Sequence, residues 1–294
     1  MLDRKQIGFN AYLWGRFKSE EEIRNCLETL ANLSYSLVEL KDIQFDPEKK
    51  LSDQIKRTRE IGSQFGIDIS NIVILRNVVA SDTREKALKD ITNCIREISE
   101  TGINVLNLVT AEVPEGMSEG EAWPILLDSF EKILKVAEEN KIYLAVEAVV
   151  GHLCHDYYTT RELTRNFTSD YLGLTFDPSH YLIYRNDIPW SIYQWRSRIK
   201  HVHLKDAVGN PGRWGIDFIF PLLGEGAIDW MLVLKALDEI SYKGALSVEF
   251  ESFNYYKNCL QENPVEAAKL SMDAFDKIWG LYIGGKGDYE DVER

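Results

Sequence analysis

Along this chain the hydrophobic and polar positions repeat one order: a short run rich in β-branched residues, a polar loop, then a longer amphipathic stretch. Strand-like runs cover Ile7–Trp14, Ser36–Leu40, Ile67–Leu75, Asn104–Val109, Ile142–Val149, Leu172–Phe176, Ile199–Leu204 and Ala245–Phe250. Helix-like stretches lie between and after them, at about 19–33, 51–65, 83–101, 119–140, 160–168, 188–197, 229–241 and 264–281. Ser19 followed by Glu20, Glu21 and Glu22 supplies an N-cap and negative charge to a helix start. Asn263-Pro264 reads as an N-cap with a first-turn proline, and Gly280 stands near the expected stop. Gly66, Gly102 and Gly244 each precede a strand, where a helix C-cap or αβ turn uses them. Eight alternations imply parallel strands joined by crossover helices, and eight such units fit a closed barrel better than an open sheet. The predicted class is therefore α/β, a single (β/α)8 TIM barrel over residues 1–283. Residues 284–294, GGKGDYEDVER, read as an acidic tail whose GGK lacks the spacing of a phosphate loop.

Composition narrows the function classes. With 45% hydrophobic residues in 294, the chain can bury a large core, which excludes disorder. Its 34 basic and 47 acidic residues leave a net charge of −13, which argues against general nucleic-acid binding. No apolar run approaches the ~20 residues of a membrane helix, and MLDRKQIGFN has no apolar signal core, so a cytoplasmic protein is expected. Cys26, Cys94, Cys154 and Cys259 are widely spaced, without a CxxC pair, and are expected to be reduced thiols.

In such a barrel the active site forms at the C-terminal ends of the strands. The first four predicted ends (NAYLW, VELKD, ILRNV and NLVTA) contain no histidine. The last four read LAVEAVVGH, LTFDPSH, KHVHLKD and LSVEFES, and all five histidines fall within residues 152–203. Strand alternation puts Leu144, Val146, Leu174, Phe176, Val202, Leu204, Leu246, Val248 and Phe250 toward the helices. It turns Ala145, Glu147, Thr175, Asp177, His201, His203, Lys205, Ser247, Glu249 and Glu251 toward the barrel interior. Crowded inward carboxylates repel one another and are costly to desolvate without a cation. Two Glu, one Asp and one His make an oxygen-rich set with one imidazole, suited to Mn²⁺, Mg²⁺ or Co²⁺ rather than to structural zinc.

VEAVVGH, TFDPSHY, HVHLKD, LLGEGAIDW and GALSVEFES, in this order across residues 142–252, resemble the xylose isomerase-like barrel superfamily. That group includes sugar isomerases and epimerases, dehydratase and other lyase branches, and endonuclease IV. The resemblance to its ketose 3-epimerases implies that Glu147, Asp177, His203 and Glu249 hold one divalent metal, manganese first, with magnesium or cobalt as alternatives. It also implies that Glu147 and Glu249 are the catalytic pair that shuttles protons, and that His180 contacts substrate. Pattern alone does not separate Glu249 from Glu251, which share a face; the family match favours Glu249 as ligand and leaves Glu251 beside the substrate or exposed. Where the family often has an arginine after the seventh-strand histidine, this chain reads LKDAVGN, so Lys205 is the candidate positive group for substrate.

The chemistry follows. A metal on a carbonyl and its neighbouring hydroxyl stabilises an enediolate, and a carboxylate removes the α-proton. Return of the proton to the other face is epimerisation and return to the adjacent carbon is isomerisation; expulsion of a β leaving group makes a lyase. The leading expectation is a metal-dependent sugar isomerase or epimerase. The alternative is a lyase on a keto sugar or glycoside. His152 and His155 are either proton donors to a leaving group or a solvent-exposed loop pair. Trp14, Tyr12 and Trp214 are candidates for a sugar platform, or for plain packing. The glycine-rich loop 206–228 reads as a lid, a partner surface or a connection. Expected partners are a small sugar or glycoside and further copies of the chain, with a small second subunit as the alternative; no nucleic acid or membrane is expected. A nuclease reading lacks early-strand histidines, and a non-catalytic sugar-binding barrel has no use for paired proton-transfer carboxylates.

Overall fold

The structure, a computed structural model, describes residues 1–290 of the chain. Eight parallel strands of the described residues close into a barrel: β1 (Ile7–Asn10), β2 (Leu37–Lys41), β3 (Asp68–Ile74), β4 (Val105–Val109), β5 (Tyr143–Glu147), β6 (Leu172–Phe176), β7 (Ile199–Leu204) and β10 (Ala245–Val248). Between β7 and β10 a small antiparallel hairpin, β8 (Val208–Gly209) and β9 (Phe218–Ile219), interrupts the rhythm. The main outer helices are α1 (Glu20–Asn32), α2 (Leu51–Ser63), α3 (Arg84–Ser99), α4 (Glu119–Asn140), α5 (Tyr157–Thr164), α7 (Ile188–Trp195), α8 (Trp230–Glu239) and α10 (Pro264–Glu290). Two short helices escape the sequence pattern, α6 (Pro178–Ile183) and α9 (Phe253–Asn258), because neither is long enough to show a helical period.

Local chemistry sets the boundaries. The Ser19 hydroxyl accepts the Glu22 N–H at 3.2 Å and starts α1, and Asn263 Oδ1 accepts the Val265 N–H at 3.0 Å at the start of α10. Helix α5 begins before its expected start at 160, since Asp156 caps it through the Thr159 N–H at 2.8 Å. Gly66 and Gly102 carry φ of 75° and 83°, the left-handed turn between a helix and the next strand. The expected first strand, Ile7–Trp14, ends at Asn10, whose side chain accepts the Tyr12 N–H; residues 11–14 form one tight helical turn instead. Helix α10 passes its expected end at 281 and runs through Gly284 and Gly285, each costing about 1 kcal/mol against alanine without breaking the helix. Of the expected acidic tail, residues 291–294 lie outside the described residues.

The main core is the layer between strands and helices. Leu144, Val146, Leu174, Phe176, Val202, Leu204, Leu246 and Val248 are fully buried there, each such side chain contributing roughly 1.5–3 kcal/mol on burial. The barrel lumen is different: Asn10, Glu39, Asn71, Asn107, Thr175, His201, His203 and Ser247 are all buried polar side chains. A lumen of this composition supports chemistry rather than apolar packing. Among the described residues no helix is long and apolar enough to cross a membrane.

The segment after β7 is tied down by Asp206, which is buried and accepts four N–H groups. Oδ1 takes those of Ala207 at 3.0 Å and Ile228 at 3.2 Å; Oδ2 takes those of Gly224 at 3.0 Å and the Trp230 indole at 2.9 Å. A Cβ on Gly226 would stand 1.9 Å from Asp206 Oδ1. Gly226→Ala is therefore expected to destabilise the fold by about 2 kcal/mol or more, through loss of part of this network. Urea unfolding checks it; an unchanged midpoint would show that the loop does not depend on the contact.

Candidate active site

At the C-terminal end of the barrel a cavity of about 490 Å³ opens between the strand ends and the 206–228 segment. A larger hollow of about 700 Å³ lies at the opposite end, but no Asp or Glu lines it. Of the two, only the C-terminal cavity is lined by carboxylates.

Each functional side chain there is placed by a strand end. Glu147 is the last residue of β5, and alternation turns it inward beside buried Ala145. Asp177 follows β6 and caps α6: its Oδ1 accepts the Ser179 N–H at 2.9 Å, and Pro178 occupies the first helical position. The FDPSH run is thus a cap motif that also delivers His180 to the cavity wall. His203 and Lys205 project from β7 and its end, and Glu249 and Glu251 follow β10. Glu147, Asp177, His203 and Glu249 are all buried, and one ligand-type atom from each lies within 4.8 Å of the others.

The distances show what this cluster can hold. His203 Nδ1 lies 3.0 Å from Glu147 Oε1, 3.4 Å from Glu249 Oε2 and 3.9 Å from Asp177 Oδ2. The Lys205 ammonium sits 2.9 Å from Asp177 Oδ2, 2.8 Å from Glu249 Oε2 and 2.9 Å from Glu251 Oε2. It also stands 4.7 Å above the Phe220 ring. Asp177 Oδ2 is ion-paired with that ammonium, and it also lies 3.5 Å from His180 Nε2. Four buried or half-buried carboxyl groups thus face one ammonium and the His203 and His180 imidazoles, and of the two rings only His203 belongs to the ligand cluster. This donor set fits a divalent cation held by oxygen and one nitrogen.

Burial and neighbouring charge push the two glutamates of the cluster apart. Burial raises the Glu147 carboxyl to about 7, against the pull of His203. Burial also opposes ionisation of Glu249, but Lys205, His203 and Lys41 outweigh it and hold that carboxyl below its ordinary value. Asp177 is held at about 2: burial pushes it up, and Lys205, His180 and His203 more than offset this. Burial, then the Lys205 charge, drives His180 down to about 3, so its ring is neutral. Its Nδ1 accepts the Val150 N–H at 3.3 Å, and its Nε2 lies 3.5 Å from Asp177 Oδ2 and 3.4 Å from the Lys205 ammonium.

Not every residue expected at the site is brought there. Glu251 and His152 line the cavity, and His152 Nδ1 is buried there without a partner. Lys205 lines it too, but its ammonium is engaged by three carboxylates and is not free for hydroxyl groups. Trp14 does not reach the cavity. The turn at residues 11–14 packs it edge-on against Phe9, with ring centres 6.0 Å apart. Tyr12 turns away likewise, its hydroxyl donating to the Phe250 carbonyl. His155 leaves the cavity as well, stacked on Tyr184 at 4.4 Å. The aromatic wall comes from the 206–228 segment, through Trp214, Phe218 and Phe220.

Sequence reasoning missed Asn10 and Glu39, and it placed His201 on the inner face without a role. Glu39 is fully buried and carries its charge between two imidazoles. The signal was present: in LVELK, Glu39 stands between the outward residues Val38 and Leu40, the same alternation that identified Glu147.

A closed (β/α)8 barrel with an acidic, single-imidazole centre at its C-terminal mouth defines the class. The chain belongs to the xylose isomerase-like TIM barrel family, whose model matches residues 27–278. Inosose dehydratase from Clostridium beijerinckii is 29% identical over 171 residues, which cover 52% of this chain and 56% of that protein. The chain thus matches little more than half the length of this relative. Among solved structures, an L-ribulose 3-epimerase superposes with a TM-score of 0.74 at 19% identity over 98% of both chains. An IolI protein with a bound zinc atom gives 0.75 at 19% identity, over 94% of this chain and 98% of that one. These two likenesses are likenesses of fold.

Proposed function

We propose that the protein is a divalent-metal-dependent sugar isomerase or epimerase, acting on the proton beside the carbonyl. One observation carries the reading: two buried glutamates, Glu147 and Glu249, close on one ligand cluster with Asp177 and His203 at the cavity mouth of the barrel. Glu147, Asp177, His203 and Glu249 would hold the ion, and three carboxylates with one imidazole favour manganese, then magnesium or cobalt. When bound, the ion supplies a Lewis acid that polarises the carbonyl. Glu147 and Glu249, on the ends of β5 and β10, would be the proton-transfer pair, one removing the α-proton and the other returning one. Lys205 keeps Asp177, Glu249 and Glu251 at fixed positions, and His180 forms the cavity wall beside the bound molecule.

A lyase reading has its own support. The matching inosose dehydratase acts by loss of water, and His152 Nδ1 is unpartnered at the cavity wall, on the β5 side. The same proton removal would then break a β C–O bond, and the departing hydroxide would take a proton to leave as water.

The test loads chelator-stripped protein with Mn²⁺ and follows hydrogen–deuterium exchange of ketoses and inososes by proton NMR. The expected result is one metal ion per chain and exchange that requires it. A new alkene or diketone signal with loss of water selects the lyase over the epimerase. Metal-loaded protein that exchanges no α-proton in any of these compounds would overturn the reading.

A further inference from the structure

Beneath the ligand cluster a second group of polar side chains fills the lumen. Leu37, Glu39 and Lys41 share the inward face of β2; Leu37 borders the hollow at the N-terminal end and Lys41 the cavity at the C-terminal end. Glu39, between them, is fully buried and lines the floor of the C-terminal cavity with Asn10. Its Oε1 and Oε2 stand 3.1 Å and 3.2 Å from His203 Nε2, and Oε2 is 2.8 Å from His201 Nε2. Asn10 Nδ2 donates to Glu249 Oε1 at 3.0 Å and reaches Glu39 Oε1 at 3.4 Å. Two strands with no ligand of their own thus grip one imidazole and one carboxylate of the cluster from below.

Glu39, His201 and His203 also have the composition of a metal set. Here, however, each ring meets the one carboxylate through its Nε2, at 2.8 Å for His201 and 3.1 Å for His203, the arrangement of two imidazoles hydrogen-bonded to one glutamate. A carboxylate against the far nitrogen of a histidine has a different consequence: it accepts a hydrogen bond from the Nε2–H, which keeps the proton there and leaves Nδ1 as the coordinating atom.

We infer that Glu39 is a positioning residue, which fixes His203 with its proton on Nε2 and its Nδ1 turned to the metal, while Asn10 steadies Glu39 and Glu249 together. The inference rests on the metal reading above. It makes Glu39 necessary for tight metal binding although it is not one of the four ligands.

The test titrates metal-free wild type and Glu39→Gln with Mn²⁺ alone, reading free ion by electron paramagnetic resonance. Glutamine keeps the size but offers one acceptor where two rings need two. Wild type is expected to take up one ion per chain, and the variant also one, with Kd raised about 10- to 100-fold. In parallel, long-range proton–nitrogen NMR of histidine-labelled, Mg²⁺-loaded wild type should show His203 protonated at Nε2. A purely structural Glu39 would lower the melting temperature without moving either readout. Equal affinity in the variant overturns this inference alone, as does a wild-type His203 without a proton on Nε2, a measurement that stands even if the variant fails to fold. Two ions per chain in wild type and one in the variant would make the lower group a metal site and overturn it as well. Wild type that binds no Mn²⁺ removes the metal reading together with the inference.

Discussion

Glu249→Gln and Glu147→Gln are each expected to lower kcat by about 10²- to 10⁴-fold, the usual worth of a positioned proton-transfer group. Both side chains are buried and within 3.4 Å of His203 Nδ1, so an amide fills the same space and keeps one ligand oxygen. What is lost is the proton acceptor or donor. Stability should change little. Lys205 retains Asp177 and Glu251 when Glu249 is neutralised, so the melting temperature should move by at most about 4 °C. The measurement is turnover at saturating metal, since the substitution also weakens the ligand set. Near-normal kcat in either variant would mean that this carboxylate does not move the proton, and the two-glutamate assignment would have to be abandoned.

The second large effect lies in the loop. Asp206→Ala is expected to cost about 3–5 kcal/mol, because it strands buried donors that each cost about 1–3 kcal/mol when left unsatisfied. Four N–H groups depend on this carboxylate, from Ala207, Gly224, Ile228 and the Trp230 indole. Asparagine should recover only part of the loss, since its amide nitrogen would face two of those donors. The same variant should weaken substrate binding, because Trp214 and Phe220, which line the cavity, belong to the segment that Asp206 anchors. Urea unfolding of the two variants checks the first expectation and KM the second. A loss below about 1 kcal/mol would show that the donors find other partners.

The comparison between sequence and structure turns on particular residues. Glu147, Asp177, His203 and Glu249 were legible as one inward set because period-two alternation is a local property, and β6 and β7 keep their expected bounds at Leu172–Phe176 and Ile199–Leu204. Trp14 was placed at the mouth because the run from Ile7 reads as one extended strand. A single Asn10 side chain that accepts the Tyr12 N–H ended it early. Lys205 was legible as the one cation of its motif but not as the partner of three carboxylates contributed by two other strand ends. Glu39 was overlooked although its alternation matches that of Glu147, since its meaning depends on histidines 162 and 164 residues away.

By itself the sequence determined what depends on nearest neighbours and periodicity: the strand–helix order, the closed eightfold barrel, the caps, and which side chains turn inward. It also carried the family motifs that the family match then bore out. Tertiary structure alone decided which inward residues meet across the lumen, which aromatics reach the cavity, and how the 206–228 segment is held over it. The physical reason is range. Pleat and helical period are fixed by bonds a few residues apart, whereas the contacts of Glu39, Lys205 and Asp206 join residues that only the closure of the barrel brings within hydrogen-bond distance.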